Sequence, residues 1–136
     1  ERPTVILDVA HNLASIAALL EALRSRFVRR DKQQQRVLIF ASSRDKDPAG
    51  MLRLLLPEFE RVILTKYVNN PRGVEPEELL NLAQALQSGL ISAPKLEIAS
   101  EPASAWGLAQ RGTGPDDLIC ITGSFFLAAE LRPLVQ

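Results

Sequence analysis

The sequence has few residues of the kinds that build disulfides, zinc sites or reactive thiols. Its single cysteine, Cys120, cannot form an internal disulfide, and a lone cysteine fits a reducing compartment, so we expect a cytoplasmic protein. Cys120 lies inside the apolar run 118–121, which predicts buried packing rather than a reactive thiol. One histidine and one cysteine are too few for a zinc site, and we predict no metal-ligating residues in this chain.

The chain also lacks an excess of charge of either sign and any long apolar run. Lys and Arg together number 16, as do Asp and Glu, so no overall field favours nucleic acid or an anionic membrane. The basic segment 24–30 has helical spacing, and we interpret it as a solvated helix end, where cations are favoured. No apolar stretch approaches the roughly 20 residues that span a bilayer. We therefore expect neither a nucleic acid nor a membrane as partner.

Three well-known signatures are missing as well. The sequence has no G-x-x-x-x-G-K-[ST], so it carries no phosphate-binding P-loop of its own. It has no G-x-G-x-x-G after the first predicted strand, which argues against a dinucleotide site there. A receiver-type signalling domain needs an acceptor aspartate after the third strand, where Thr65 and Lys66 stand instead.

What the sequence does contain is a regular alternation of strand and helix patterns. Short apolar runs predict five strands, at residues 4–7, 37–41, 62–65, 96–99 and 118–122. Helical patterns follow them, at about 12–27, 47–57, 75–90, 101–112 and 124–133. This alternation predicts an α/β fold, a Rossmann-like three-layer sandwich whose mainly parallel sheet has helices on both faces. The fourth run alternates in polarity and is predicted to be an edge strand, but the pattern leaves the strand order open.

In a parallel sheet the loops that follow the strands all meet at the carboxyl edge, where ligands usually bind. Those loops are residues 8–12, 42–47, 66–74, 99–102 and 123–124, and they hold most of the unusual polar residues. The first helix is predicted to bury Leu13, Ala17 and Phe27, among others of its apolar stripe. We expect the functional site at this carboxyl edge.

The segment LDVAHN, residues 7–12, resembles the LDGAHNP signature of the C-terminal domain of folylpolyglutamate synthase/dihydrofolate synthase, within the Mur ligase superfamily. Three further segments agree in order and spacing: residues 45–47 (DKD), 71–72 (PR) and 123–126 (GSFF). The chain departs from the pattern at Val9 and Leu13, where Gly and Pro are usual, and at Phe126, where a tyrosine is common.

The resemblance implies that residues 1–136 form one glutamate-ligase domain, a fragment lacking the N-terminal ATPase domain. In that family, ATP phosphorylates the carboxylate of a folate or dihydropteroate, and the amine of L-glutamate attacks the acyl phosphate. ATP and Mg²⁺ would be held mainly by the missing N-terminal P-loop domain of the same polypeptide. This domain would act as a lid that excludes water, and the enzyme would be a monomer. The chain also opens almost directly on a predicted strand, as a fragment would.

By the same resemblance, Asp8, His11 and Asn12 would bind the nucleotide, and His11 would be the catalytic residue. His11 would donate a hydrogen bond to negative charge that develops near the terminal phosphate. Asp8 has an alternative role as a local cap, since aspartate caps helices well, and His11 could be a solvated histidine at a helix start. Asn12 suits the N-cap of the first helix better than a ligand role.

The resemblance also suggests that Ser124 binds the incoming glutamate, with Phe126 shaping the pocket. Ser124 equally suits a helix cap, at a position where free backbone amides favour anions. Lys46 and Arg72 would meet phosphate or a glutamate carboxylate, or they are solvated loop charges. Asp47 before Pro48 is better explained as a cap than as part of a metal site.

A different class of function stays open on the sequence alone. The same scaffold could serve a stand-alone, non-catalytic binding or interaction domain, because a fold does not fix a function.

Overall fold

The computed structural model describes residues 2–29 and 33–135, so residue 30 of the basic segment lies outside the described part. Strands and helices alternate along the chain, as the sequence predicts. In order they are β1 (Thr4–Leu7), α1 (Leu13–Arg26), β2 (Arg36–Phe40), α2 (Pro48–Leu55), β3 (Arg61–Leu64), α3 (Pro76–Gln87), β4 (Lys95–Ile98), α4 (Pro102–Gln110), β5 (Leu118–Thr122) and α5 (Phe125–Val135), with a 3₁₀ turn (Leu56–Glu58) after α2. None of these helices is long and apolar enough to cross a bilayer.

The five strands form one parallel sheet in the order β1-β5-β2-β3-β4. Its register places one residue of each strand in a common row, namely Ile6, Cys120, Leu38, Val62 and Leu96. The predicted edge position of β4 is confirmed. β1 forms the opposite edge and is therefore only partly buried, whereas all residues of the inner strands β2 and β5 are buried.

Helices cover both faces of the sheet, which confirms the predicted three-layer α/β sandwich. Along β2, Leu38 and Phe40 face a core shared with α1, α2 and α3, while Val37 and Ile39 face a second core shared with α4 and α5. This alternation gives a strand buried on both sides, as expected for a parallel sheet. Cys120 is buried, as predicted, and burial raises the pKa of its thiol.

Helix α1 departs in part from its predicted apolar stripe. Leu13 and Phe27 are 43% and 36% exposed, and Ala17 is also exposed. A helix of 14 residues is about 21 Å long, whereas the four residues of β1 span about 13 Å. The ends of α1 therefore extend beyond the strand, which exposes Leu13 and Phe27. The prediction that Leu13, Ala17 and Phe27 are buried is wrong. The predicted end of the last helix near Pro133 is also short, because α5 continues to Val135.

The sheet order creates a crevice at the carboxyl end of β5. Strand β5 lies between β1 and β2, and its helix α5 packs on the face opposite to α1 and α2. Where neighbouring strands send their helices to opposite faces, the loops separate and leave room for a ligand. The three loops that follow β1, β2 and β5 meet at this point.

Candidate functional site

A pocket of about 230 Å³ opens at this crevice. It is lined by His11, Ser43, Asp45, Lys46, Arg72, Ser124, Phe125 and Phe126, and we call this set the rim pocket. Five of the residues singled out in the sequence thus come together from four separate loops. The other two, Asp8 and Asn12, lie outside the lining of the rim pocket.

Asp8 connects the loop after β1 to the end of β5. One of its carboxylate oxygens, Oδ2, accepts hydrogen bonds from the Ala10 amide at 2.7 Å and from Thr122 Oγ1 at 3.1 Å. The amide of Gly123 donates to the Ala10 carbonyl at 3.0 Å and joins the same two segments. Asp8 therefore does not cap α1. It fixes the turn that presents His11 and keeps one carboxylate oxygen, Oδ1, outside these two contacts.

Asn12 is the N-cap of α1, as predicted. Its side-chain oxygen accepts from the Ser15 amide at 2.8 Å, and Ser15 Oγ accepts from the Asn12 amide at 3.2 Å. This reciprocal pair is a capping box, which satisfies amides that the first helical turn leaves without partners. The side-chain NH₂ group of Asn12 takes no part in the capping box.

The imidazole of His11 is exposed and is held by its own loop. Nδ1 lies 3.1 Å from the Val9 carbonyl oxygen. A carbonyl oxygen only accepts, so this contact is a hydrogen bond when Nδ1 carries the proton. In that tautomer the neutral ring offers Nε2 as an acceptor, and the protonated ring offers it as a donor. His11 can therefore donate to an anion as an imidazolium.

The turn from β5 into α5 needs a glycine. Gly123 has a φ of 109°, and a Cβ there would lie 2.2 Å from the Ala41 carbonyl oxygen and 2.7 Å from the Phe40 ring. The backbone of β5 thus passes directly against the end of β2. Ser124 is 2% exposed, and its Oγ accepts from the Phe126 amide at 3.0 Å, so it caps α5 as the sequence allows. The hydroxyl hydrogen is left to donate.

Lys46 and Arg72 lie on two loops that are joined to each other by backbone hydrogen bonds. The Arg44 amide donates to the Arg72 carbonyl at 2.8 Å, the Val74 amide donates to the Ser42 carbonyl at 2.9 Å, and an antiparallel bridge lies between these two hydrogen bonds. Among residues 2–29 and 33–135, neither the Lys46 nor the Arg72 side chain forms an ion pair. Both cations therefore line the pocket without an ion-pair contact to another described residue.

Two buried residues of the site were missed in the sequence: Ser43, which lines the rim pocket, and Tyr67, which is hydrogen-bonded to it. Tyr67 is fully buried, its hydroxyl is hydrogen-bonded to Ser43 Oγ, and its ring centroid lies 5.3 Å from that of Phe126. The only tyrosine of the chain, placed just after a predicted strand, was a usable signal. No local pattern marks Ser43, because its partner comes from a different loop.

Within the described part of the chain, no group of three or more His, Cys, Asp or Glu side chains is arranged to hold a metal ion. Asp47 Oδ1 accepts from the Gly50 amide at 2.9 Å and is the N-cap of α2, as predicted. Asp45 is the one acidic residue that lines the rim pocket, beside the two cations.

Known proteins match nearly the whole chain. Residues 1–125 match the model of the family described as Mur ligase, glutamate ligase domain. A probable bifunctional folylpolyglutamate synthase/dihydropteroate synthase of Haloferax volcanii is 32% identical over 133 residues, which make up 96% of this chain and 14% of that protein.

Two solved structures have the same fold. The Mycobacterium tuberculosis folylpolyglutamate synthase complexed with ADP matches with a TM-score of 0.76 and 29% identity, over 97% of this chain and 30% of the other. A bifunctional folylpolyglutamate synthase/dihydrofolate synthase with Mn, AMPPNP and L-glutamate bound matches with a TM-score of 0.74 and 26% identity, over 100% and 30%. The chain spans less than a third of the length of each of these relatives.

Proposed function

This chain belongs to the family of Mur ligase glutamate ligase domains, and on that premise we propose that it is the C-terminal domain of an ATP-dependent folylpolyglutamate/dihydrofolate synthase. The proposed enzyme adds L-glutamate to dihydropteroate or to a folate. Its ATP and Mg²⁺ would be held mainly by an N-terminal P-loop domain of the same polypeptide, with this domain as a lid. The observation that carries the proposal is the rim pocket, which gathers His11, Lys46, Arg72, Ser124 and Phe126 at one crevice.

The proposed chemistry divides between the two domains. ATP, with its metal ion, would supply the phosphoryl group of an acyl phosphate on the substrate carboxylate and would leave as ADP. The neutral amine of glutamate would then displace phosphate and lose a proton to form the amide. Mg²⁺ has no cage of three or more His, Cys, Asp or Glu ligands among the described residues, and the sequence has no P-loop. The contribution of this chain is to bind glutamate, stabilise charge and exclude water.

The charges of the rim pocket complement a glutamate molecule. Lys46 and Arg72 present two cations that form no ion pair with a described residue, and α5 presents its N-terminus behind Ser124. Glutamate carries two carboxylates, which can pair with these positive groups. Its amino group, while protonated, can pair with the carboxylate of Asp45. Arg72 suits a carboxylate especially well, since its planar guanidinium can donate two parallel hydrogen bonds.

We assign His11 to the phosphate side of the site. As an imidazolium it would donate from Nε2 to oxygens that gain negative charge during phosphoryl transfer. The hydrogen bond from Nδ1 to the Val9 carbonyl fixes the ring for that task. Asp8 would support it by holding the turn and would offer its remaining oxygen, Oδ1, to the nucleotide. Asn12 would act through its free NH₂ group at the start of α1.

The test is a ligation assay of the parent polypeptide with ATP, L-glutamate and either dihydropteroate or a folate. We expect His11→Ala to lower kcat by about a hundredfold, because a preorganised donor to developing charge contributes on that scale. Gln84→Ala, an exposed polar residue of α3, is the control and should keep wild-type turnover. Wild-type turnover in His11→Ala would contradict the proposed catalytic role of His11. A parent chain that binds but does not ligate would favour the non-catalytic binding domain.

A further inference from the structure

The carboxylate of Glu130 holds the loop that carries Arg72. Glu130 lies on α5, and its Oε1 and Oε2 accept from the Val68 amide at 2.9 and 3.1 Å. Oε2 also accepts from the Asn69 amide at 2.8 Å. Two successive backbone amides therefore converge on one ionised side chain, and such charge-assisted hydrogen bonds are stronger than neutral ones.

The same loop is fastened at its other end to the loop after β2. The Arg72 carbonyl accepts from the Arg44 amide at 2.8 Å, and Gly73 forms a bridge with Ser43. Arg72 thus forms the anchor on the β2 loop through its own carbonyl, and the anchor on α5 holds the loop three residues earlier, at Asn69. The anchor on α5 ties the loop backbone to the helix that Ser124 caps.

A second contact joins this loop to α5 on the same side. Phe126 precedes Glu130 by four residues, so the two side chains lie on one face of the helix. The ring of Tyr67, next to Val68, packs against Phe126 at 5.3 Å. Apolar packing and the carboxylate contacts therefore act together, but only the carboxylate contacts join backbone amides of the loop to α5.

We propose that Glu130 is a positioning residue, which sets the place of the Arg72 guanidinium relative to the N-terminus of α5. The inference rests on the proposed function, in which both groups bind the same glutamate. Without the carboxylate, the Val68 and Asn69 amides bind water instead, and the loop backbone loses its hydrogen bonds to α5. Arg72 then keeps its charge but meets the substrate carboxylate in the correct place for less of the time.

Glutamate kinetics of the parent enzyme test this role. We expect Arg72→Ala and Glu130→Ala each to raise KM for glutamate by roughly tenfold or more, since misplacing a binding group is as costly as removing it. The kcat of Glu130→Ala should stay within about twofold of wild type, because His11 and its turn are untouched. Glu130→Gln keeps one accepting oxygen and should show a smaller rise. Glu21→Ala, an exposed carboxylate on α1, is the matched control.

The double variant separates positioning from a general structural effect. If Glu130 acts through Arg72, removing both residues raises KM no further than Arg72→Ala alone. Additive losses, an unchanged KM in Glu130→Ala, or an unchanged KM in Arg72→Ala would each overturn the inference. A parent enzyme that does not ligate glutamate at all would instead overturn the proposed function, and the wild-type assay reveals that first.

Discussion

The charged residues at the amino ends of the strands differ in their partners from the charged residues that line the rim pocket at the carboxyl ends. At the amino edge, where the strands begin, Arg24, Arg29, Arg36 and Arg61 are paired with acids or backbone carbonyls of the same chain. At the carboxyl edge, Lys46 and Arg72 face the rim pocket without an ion-pair partner among residues 2–29 and 33–135. The pairs Arg44–Glu78 and Lys66–Glu75 also lie toward the carboxyl edge, but none of these four residues lines the rim pocket.

These paired arginines of the amino edge stabilise the fold. Arg29 pairs with Glu60 at 2.8 Å, and Arg61 pairs with Glu97 at 2.9 Å while donating to the Leu108 and Arg111 carbonyls at the end of α4. Arg36 is 4% exposed and donates to the Phe27 carbonyl at the end of α1. Burial lowers the pKa of Arg36, and the nearby positive charge of Arg29 lowers it further.

This contrast distinguishes charged side chains that stabilise the fold from charged side chains that can bind a ligand. A cation whose donors are satisfied internally has little to offer a substrate. A cation that lines a pocket without an internal partner gains most when an anion enters. The presence of a basic residue therefore does not by itself indicate a ligand site, and its interaction partners must be considered.

The largest effect should come from Gly123 at the carboxyl edge, and Gly112 at the amino edge is its comparison. Gly123→Ala combines a positive φ with contacts of 2.2 and 2.7 Å, and we expect unfolding free energy to fall by about 3 kcal/mol or more. Gly112→Ala at the amino edge has a φ of 79°, but the nearest atom to its Cβ is 3.9 Å away, so about 1 kcal/mol should be lost. Urea denaturation of both variants measures the difference. Equal losses would mean that backbone strain alone, and not the close approach to β2, requires Gly123.

A smaller effect should separate Arg61 from Arg72. Arg61→Ala leaves Glu97 without its cation and two carbonyls without their donor, and we expect a loss of about 2 kcal/mol in stability. Arg72→Ala removes an exposed side chain and should change stability by no more than about 0.5 kcal/mol. Thermal unfolding of the two variants checks the ranking. A loss in Arg72→Ala that equals the loss in Arg61→Ala would show that both edges serve the fold.

The smallest expected signal is the ATPase activity of the 136 residues on their own. The carboxyl edge offers cations and an imidazole, but the sequence has no P-loop to grip a triphosphate. We expect no ATP hydrolysis above background in a phosphate-release assay, with the parent enzyme as positive control. Robust hydrolysis by the isolated chain would contradict the proposed division of labour between two domains.

The sequence alone was sufficient for the fold class and for placing most of the candidate site residues at one edge of the sheet. Parallel strands send their following loops to one edge, so the pattern of alternation already placed His11, Lys46, Arg72 and Ser124 on the same side. The strand order was beyond reach, because helices of similar length allow several orders. Whether Leu13 is buried also depended on where the helix ends relative to the sheet, which periodicity does not encode.

The supporting contacts of the site were harder to foresee. Asp8 was interpreted as a ligand or a cap, but it bonds Thr122, which is 114 positions away in the sequence. Glu130 resembles any charged residue of a surface helix until its two amide partners are seen. Such contacts depend on how loops meet in space, and a single sequence carries no local signal for them.

The most direct test of the central claim compares KM for glutamate in the parent enzyme after removing one cation at a time from each edge. Lys46→Ala and Arg72→Ala should each raise KM by roughly tenfold or more, because each removes a hydrogen bond between charged groups. Arg24→Ala and Arg29→Ala at the amino edge should leave KM within about twofold of wild type, because their partners, Glu58 and Glu60, belong to the fold. Equal KM values in all four variants would contradict the assignment of the rim pocket to glutamate.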